Sequence, residues 1–148
     1  MKRIINFRKS RLILASILGV LLLSLASCTK TIDFLQSSVV PAATGDVKIN
    51  TDGNDNYTIE LKIVDLADVS RLQPPKKSYV AWMRTDRGET IKLGQLDSST
   101  GFMSKQMKAT IETVSSYKPV EIYITAENSS DAQYPDDLVV MTTGSFSL

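Results

Sequence analysis

From residue 44 onward, the chain is built of short segments in which apolar and polar residues alternate. The clearest segment runs from Tyr57 to Val64, with apolar side chains at its odd positions and mostly polar ones at its even positions. Pro119 to Glu127 repeats the pattern, with apolar residues at its even positions. A period of two places the two sets of side chains on opposite faces of a strand. Both segments are therefore predicted to be strands with one face in a core.

Five further segments have the length and composition of strands, and residues that favour turns separate them at near-regular intervals. They lie at residues 47–51, 78–85, 90–96, 102–113 and 138–141. Gly88, late in the turn between residues 78–85 and 90–96, suits a hairpin. Residues 65–72 are the one stretch that suits a helical turn. About seven strands and no long helix predict an all-β domain, an immunoglobulin-like β-sandwich.

The N-terminus has a different pattern, with three parts. Five basic residues and no acidic residue lie within residues 1–11, and residues 12–26 are almost wholly apolar and uncharged. The apolar run is shorter than the roughly 20 residues of a membrane-spanning helix. A basic segment, an apolar segment and small residues in that order are typical of an export signal that is removed from the mature protein.

The end of this leader, Leu25-Ala26-Ser27-Cys28, resembles the lipobox of bacterial lipoproteins. Cys28 is the only cysteine of the chain, and a single cysteine in an exported protein needs an explanation. The resemblance implies cleavage before Cys28 and attachment of lipid to its sulfur. It divides the chain into a signal peptide at residues 1–27, a tether at residues 28–43 and a β-sandwich domain at residues 44–148. The residue after the cysteine is Thr29 and not the Asp of the enterobacterial inner-membrane retention signal, which favours the outer membrane.

Removal of the leader reverses the charge of the protein. The whole chain carries 17 basic and 16 acidic residues, and the leader holds five of the basic ones. The mature chain would keep 12 basic against 16 acidic residues, a net charge of −4. The patch of basic residues that binding to nucleic acid requires is absent, so nucleic acid is not an expected partner.

The side chains that most often perform catalysis are missing. The chain has no histidine, which removes histidine-based acid–base catalysis, Ser-His-Asp triads and the commonest zinc ligand. The resemblance to a lipobox implies that the only thiol, that of Cys28, carries lipid. Ser104 and Lys105 are adjacent, but neighbours on a strand point to opposite faces. We therefore expect no catalytic residue and no cofactor.

Three sets of acidic residues are the remaining candidates for a site. Glu121 and Glu127 share one face of a predicted strand, but six residues separate them by about 20 Å, too far for glycosidase geometry. The loop from Asp52 to Asn56 contains carboxylate and amide oxygens, which are ligands that calcium binds. It lacks the full Asp-x-Asp-x-Asp-Gly pattern, so its composition is better explained by turn formation. No metal site is expected there or in the acidic loop at residues 128–137.

Two aromatic residues are candidates for a ligand platform. Trp82 is the only tryptophan and lies among apolar residues in the middle of a predicted strand, which favours a core position between two sheets. Tyr123 alternates with Glu121 and Thr125 on the polar face of its strand. It could help to bind a sugar or a protein, but a cross-strand aromatic pair explains it better.

Two stretches resemble the extracytoplasmic C-terminal domain of anti-sigma-K factors. The first is Tyr79-Val80-Ala81-Trp82, then Gly88, then Leu93-Gly94-Gln95-Leu96. The second is Ile124-Thr125-Ala126-Glu127, a polar loop with Pro135, then Leu138-Val139-Val140 and Gly144. The resemblance covers residues 78–146 and implies a β-sandwich. It does not imply sigma-factor binding, because the cytoplasmic domain and transmembrane helix of those factors have no counterpart here.

These observations predict a non-enzymatic binding module, held in the cell envelope by lipid on Cys28. The expected partners are the membrane, through that lipid, and an envelope protein or a glycan. The alternative is an accessory extracytoplasmic sensor, related to the outer domains of anti-sigma factors, that works through a membrane partner.

Overall fold

The computed structural model describes residues 29–96, 99–100 and 107–148, with side chains described for residues 29–96 and 109–148. The leader, the residues Leu25, Ala26, Ser27 and Cys28, and the pair Ser104-Lys105 lie outside the described residues. The described part is all-β. Its strands are β1 Thr29–Asp33, β2 Thr44–Thr51, β3 Tyr57–Val64, β4 Ser78–Thr85, β5 Thr90–Leu96, β6 Ser99–Thr100, β7 Met107–Ser115, β8 Pro119–Glu127 and β9 Val139–Thr142.

The strands form two antiparallel sheets. Sheet A has the order β1-β2-β3-β7-β6, and sheet B has the order β5-β4-β8-β9. The alternation predicted in β3 is confirmed, because Ile59, Leu61 and Ile63 are buried while Lys62 is exposed. In β8, Ile122, Ile124 and Ala126 are buried in the same core cluster. The inner faces of the two sheets share this single cluster, which is a sandwich-like arrangement.

Apart from β2, which begins three residues earlier than predicted, and the unpredicted two-residue β6, the strand bounds agree with the sequence pattern except for three larger differences. Residues 57–64, 78–85, 90–96 and 119–127 form strands as predicted. The strand expected at residues 102–113 is described only from Met107 and continues to Ser115. The helical turn expected within residues 65–72 is a single 3-10 turn at Val69–Arg71, which the Asp68 side chain caps by accepting a hydrogen bond from the Ser70 amide.

The third difference concerns the segment expected to be a tether. Its residues Thr29–Asp33 form β1, which pairs with β2 in register from Thr29 opposite Asn50 to Asp33 opposite Asp46. The pattern gives little sign of a strand, since Ile32 is its only apolar residue and the strand lies at a sheet edge. Packing against β2 decides the conformation instead.

After β1 the chain crosses from sheet A to the free edge of sheet B. The Phe34 amide donates to Gly45 O at 3.0 Å, and the next amide, of Leu35, donates to Thr142 O at 2.8 Å. The Ser37 hydroxyl then donates to Val140 O and accepts from the Val40 amide at 3.0 Å. This segment therefore belongs to the folded domain and covers the edge of β9, an edge that would otherwise be open to pairing with another chain.

The strand directions give the domain two ends, which we name for one residue each. The Thr29 end carries the start of β1, the β2–β3 turn, the β4–β5 turn and the β7–β8 turn. The Tyr134 end carries the 3-10 turn and the β8–β9 loop, residues 128–138. In the β4–β5 turn, Gly88 has a φ of 81°, a conformation that glycine adopts without steric cost.

Candidate functional site

Trp82 is buried, but not between the sheets. In β4, Tyr79, Ala81 and Met83 belong to the core between the sheets, whereas Val80 and Trp82 point to the outer face of sheet B. Trp82 is only 1% exposed there and forms a separate cluster with Val80 and Tyr123, against which Ala132 of the β8–β9 loop packs. The predicted position of Trp82 between two sheets is wrong, because β4 is apolar on both faces and a loop covers the second one.

Tyr123 is the cross-strand neighbour of Trp82 and is only 6% exposed. The guanidinium carbon of Arg84 lies 5.9 Å from the centroid of its ring. The preference for a cross-strand aromatic pair is confirmed, and the ring is not available as an open platform for a ligand.

A chain of hydrogen bonds runs from the tryptophan to the loop. Trp82 Nε1 donates to Thr125 Oγ1 at 2.8 Å, and the Thr125 hydroxyl donates to Glu127 Oε1. The same carboxylate oxygen accepts from the Asp136 amide at 2.8 Å. Glu127 is only 4% exposed, and a buried carboxylate is costly unless it is hydrogen-bonded. Its acceptor capacity is used to hold one flank of the β8–β9 loop.

Two lysines hold the loop from other elements. Lys92 of β5 donates to Ser130 O at 2.6 Å and to Ala132 O at 3.2 Å. Lys76, whose side chain is 8% exposed, pairs with the Asp136 carboxylate. The loop is thus fixed to the outer face of sheet B at both flanks by charged groups that its sequence alone does not reveal.

The tip of the loop is organised but open to solvent. The Ser129 hydroxyl accepts from the Asp131 amide at 3.2 Å, and Gln133 Nε2 donates to Asp131 O at 2.9 Å. Tyr134 follows and is 85% exposed, more than any of the other large apolar or aromatic residues that are exposed in the described chain. A large aromatic side chain on an ordered loop loses little conformational freedom on binding, so the tip has the character of a recognition surface.

The hydrogen bond from Lys76 lowers the pKa of Asp136 below its usual value. Because the folded-state pKa is depressed, the stabilisation by this pair is present above the unfolded value of about 3.9 and is lost as the pH falls through the folded pKa. We expect the carboxyl carbon of Asp136 to titrate, by NMR, at a lower pH than an unperturbed aspartate. Lys76→Met should move that midpoint upward, and Lys62→Met, which breaks a distant ion pair on sheet A, should not. An unchanged midpoint in Lys76→Met would contradict the pairing.

The two carboxylates singled out by their spacing are not brought together. Glu121 pairs with Arg84 at 2.9 Å and accepts from the Thr142 hydroxyl at 2.9 Å, while Glu127 is committed to the loop. Each serves a separate structural contact.

In the oxygen-rich β2–β3 turn, the Asp52 carboxylate forms its hydrogen bonds within the turn itself. Asp52 Oδ1 accepts from the amides of Asn54 and Asn56 at 2.8 and 2.9 Å, and Oδ2 accepts from the Asn56 side chain at 2.9 Å. These bonds, the one from the Asn56 side chain foremost, lower the pKa of Asp52. Turn formation accounts for the residues of this loop, as the sequence favours. Within residues 29–96 and 109–148, no three acidic residues come close enough together to hold a metal ion.

The surface of the described residues has several clefts. One of about 230 Å³ lies beside the 3-10 turn and is lined by Asp68, Tyr79 and Gln95, among others. The Tyr79 hydroxyl donates to Ala67 O at 2.9 Å, and burial raises its pKa to about 12. The Asp68 carboxylate accepts from both the amide and the hydroxyl of Ser70.

In the part of the chain that the structure describes, no helix has the length and apolar character needed to cross a membrane. Comparison of the chain with models of protein families, with curated proteins and with solved structures finds no match. The β8–β9 loop and its supporting network therefore form the candidate site on the strength of their own geometry.

Proposed function

We propose that the protein is a lipid-anchored binding module of the bacterial cell envelope, without enzymatic activity, that recognises a partner through its β8–β9 loop. The observation that carries the binding role is a solvent-exposed Tyr134 on a loop that Lys92, Lys76 and Glu127 hold in place. The anchoring role is supported by the lipobox that ends at Cys28, and the outer membrane is the favoured location.

The fold that best fits this role is immunoglobulin-like. Four strands of sheet A, in the order β2-β3-β7-β6, correspond to the immunoglobulin order A-B-E-D, and β5-β4-β8-β9 corresponds to C′-C-F-G. Strand β1 is then an addition at the edge of sheet A. In this assignment the β8–β9 loop is the F–G loop, one of the loops that bind antigen in antibody variable domains.

A protein surface suits the loop better than a glycan. Glycan binding would need a strip of exposed aromatic rings, whereas Tyr123 is buried and Tyr57 is half-buried, which leaves Tyr134 alone at its end of the domain. A single tyrosine beside the exposed Asp131 and Asp137 is a suitable anchor for a pocket with a basic rim.

The test is site-specific photo-crosslinking in the native envelope. A photoreactive amino acid at position 134 should crosslink a distinct partner, while the same group at Glu112, exposed on the outer face of sheet A, should not. Tyr134→Ala should reduce recovery of that partner by about tenfold or more, as expected for an interface anchor. Equal recovery from both sites, or with and without the tyrosine, would contradict the loop as the binding site. A transmembrane protein as the partner would favour the sensor role over a passive one.

A further inference from the structure

We propose that the Thr29 end of the domain rests directly on the headgroups of the membrane leaflet that holds Cys28, so that the Tyr134 end faces away from it. This inference rests on the lipidation of Cys28 in the proposed function. Its structural basis is the position of β1, which begins at the residue immediately after the cysteine.

No flexible spacer lies between the expected lipid and the folded domain. Thr29 pairs with Asn50 of β2, and its hydroxyl donates to the Asn50 side chain. The side chain of the next residue, Lys30, donates to Ser147 O. The first two residues after the cysteine are therefore already bonded to the domain.

The distances leave the domain little freedom to move away from the bilayer. A strand advances about 3.3 Å per residue, and the polar headgroup layer of one leaflet is roughly 5–8 Å thick. With acyl chains on Cys28 in the hydrocarbon, the start of β1, one residue further along the chain, lies within the thickness of that layer. A lipoprotein with a long tether would instead rotate freely above the membrane.

The surface at this end has the chemistry of a membrane interface. The Tyr117 ring is 39% exposed, and the guanidinium carbon of Arg87 lies 5.8 Å from its centroid. Both residue types favour the headgroup level, with an apolar body and a polar or charged tip. The Asp86 amide donates to Lys118 O at 3.0 Å, which holds the turns that carry Arg87 and Tyr117 together.

Acidic residues at the same end offset the positive charge of Arg87. Asp55, Asp86 and Glu89 are exposed there, and Asp52 is engaged by its own turn. Attraction to anionic lipid therefore does not drive the contact; the covalent anchor does. The orientation should persist on zwitterionic phosphatidylcholine and at high salt.

The opposite end is held well above the membrane. Strand β8 runs nine residues between the two ends, a length of about 30 Å. The 3-10 turn and the two ends of the β8–β9 loop lie at about that height, and the loop between them folds back over the outer face of sheet B.

The test uses the full-length acylated protein in phosphatidylcholine vesicles that carry a nitroxide on the headgroup. Because Cys28 is the only natural cysteine and would be blocked by lipid, an introduced cysteine gives a unique labelling site. A fluorophore on Ser116→Cys, in the β7–β8 turn, should be quenched several-fold more than one on Arg71→Cys, in the 3-10 turn at the opposite end. A label on Glu112→Cys, midway along sheet A, should fall between them. Insertion of a ten-residue Gly-Ser spacer between Cys28 and Thr29 should remove the difference.

The mass of the protein is measured on the same preparations. Acylated protein with equal quenching at all three positions would overturn the orientation while leaving the anchor intact. Absence of acylation would overturn both the anchor and the inference that rests on it.

Discussion

Replacement of Cys28 by serine or alanine should abolish attachment of lipid to the protein. The resemblance assigns two or three acyl chains to this residue, and each buried CH₂ contributes about 0.8 kcal/mol, so two chains make attachment effectively permanent. We expect Cys28→Ala to accumulate as uncleaved precursor or to leave the membrane fraction, and to lose incorporation of a labelled fatty acid.

A matched control exists next to the cysteine. Ser27→Ala keeps a small residue before the cleavage site and should be processed and acylated normally. Cell fractionation, fatty-acid labelling and intact mass would be compared for both variants. Retention of Cys28→Ala in the membrane at the mass of the wild-type mature protein would refute the lipoprotein assignment.

Replacement of Trp82 by alanine should destabilise the domain by about 3–5 kcal/mol, the usual cost of truncating a buried aromatic residue. The change empties the cluster between Val80, Tyr123 and Ala132 and removes the donor to Thr125. Since domains of this size are stable by about 5–15 kcal/mol, the loss is a large fraction of the total. Urea unfolding followed by circular dichroism would measure it.

Two further variants test whether the loss of stability comes from the buried contacts of Trp82. Trp82→Phe keeps most of the apolar contact and should cost clearly less, whereas Tyr134→Ala changes an exposed side chain and should alter stability by less than about 0.5 kcal/mol. Hydrogen exchange of residues 128–138 should accelerate in Trp82→Ala, because these residues cover the tryptophan. A loss below about 1 kcal/mol would mean that the loop does not cover Trp82.

Strands with regular alternation could be predicted, because the pattern identifies the face that enters the core. In β3 only that face is fully buried, whereas in β8 the polar-face residues Tyr123, Thr125 and Glu127 are buried as well. Strand β4 is different, since it is apolar on both faces, with Val80 and Trp82 on the outer face as well as Tyr79 and Ala81 on the inner one. A continuous apolar run indicates that something covers both faces, but it does not say which part of the chain supplies the second cover.

The candidate site depends on contacts between residues that are distant in the sequence. Lys92 reaches the loop from 38 residues away, and Lys76 from 60. No local pattern marks these lysines as different from other surface lysines. The buried Glu127 carried the one usable signal, a carboxylate that continues a strand of buried residues into a polar loop. Only the folded structure shows that it accepts hydrogen bonds from the Thr125 hydroxyl and the Asp136 amide.

The position of β1 also determines how the domain would bear a pulling force. If a partner holds the loop at Tyr134 while the lipid holds Cys28, the tension runs along the axis of β1. The hydrogen bonds of an antiparallel pair lie across the strands, so tension along β1 loads its five residue pairs with β2 together, in shear. A strand attached at its other end would be peeled away one bond at a time. The arrangement suits a protein whose partner moves relative to the membrane.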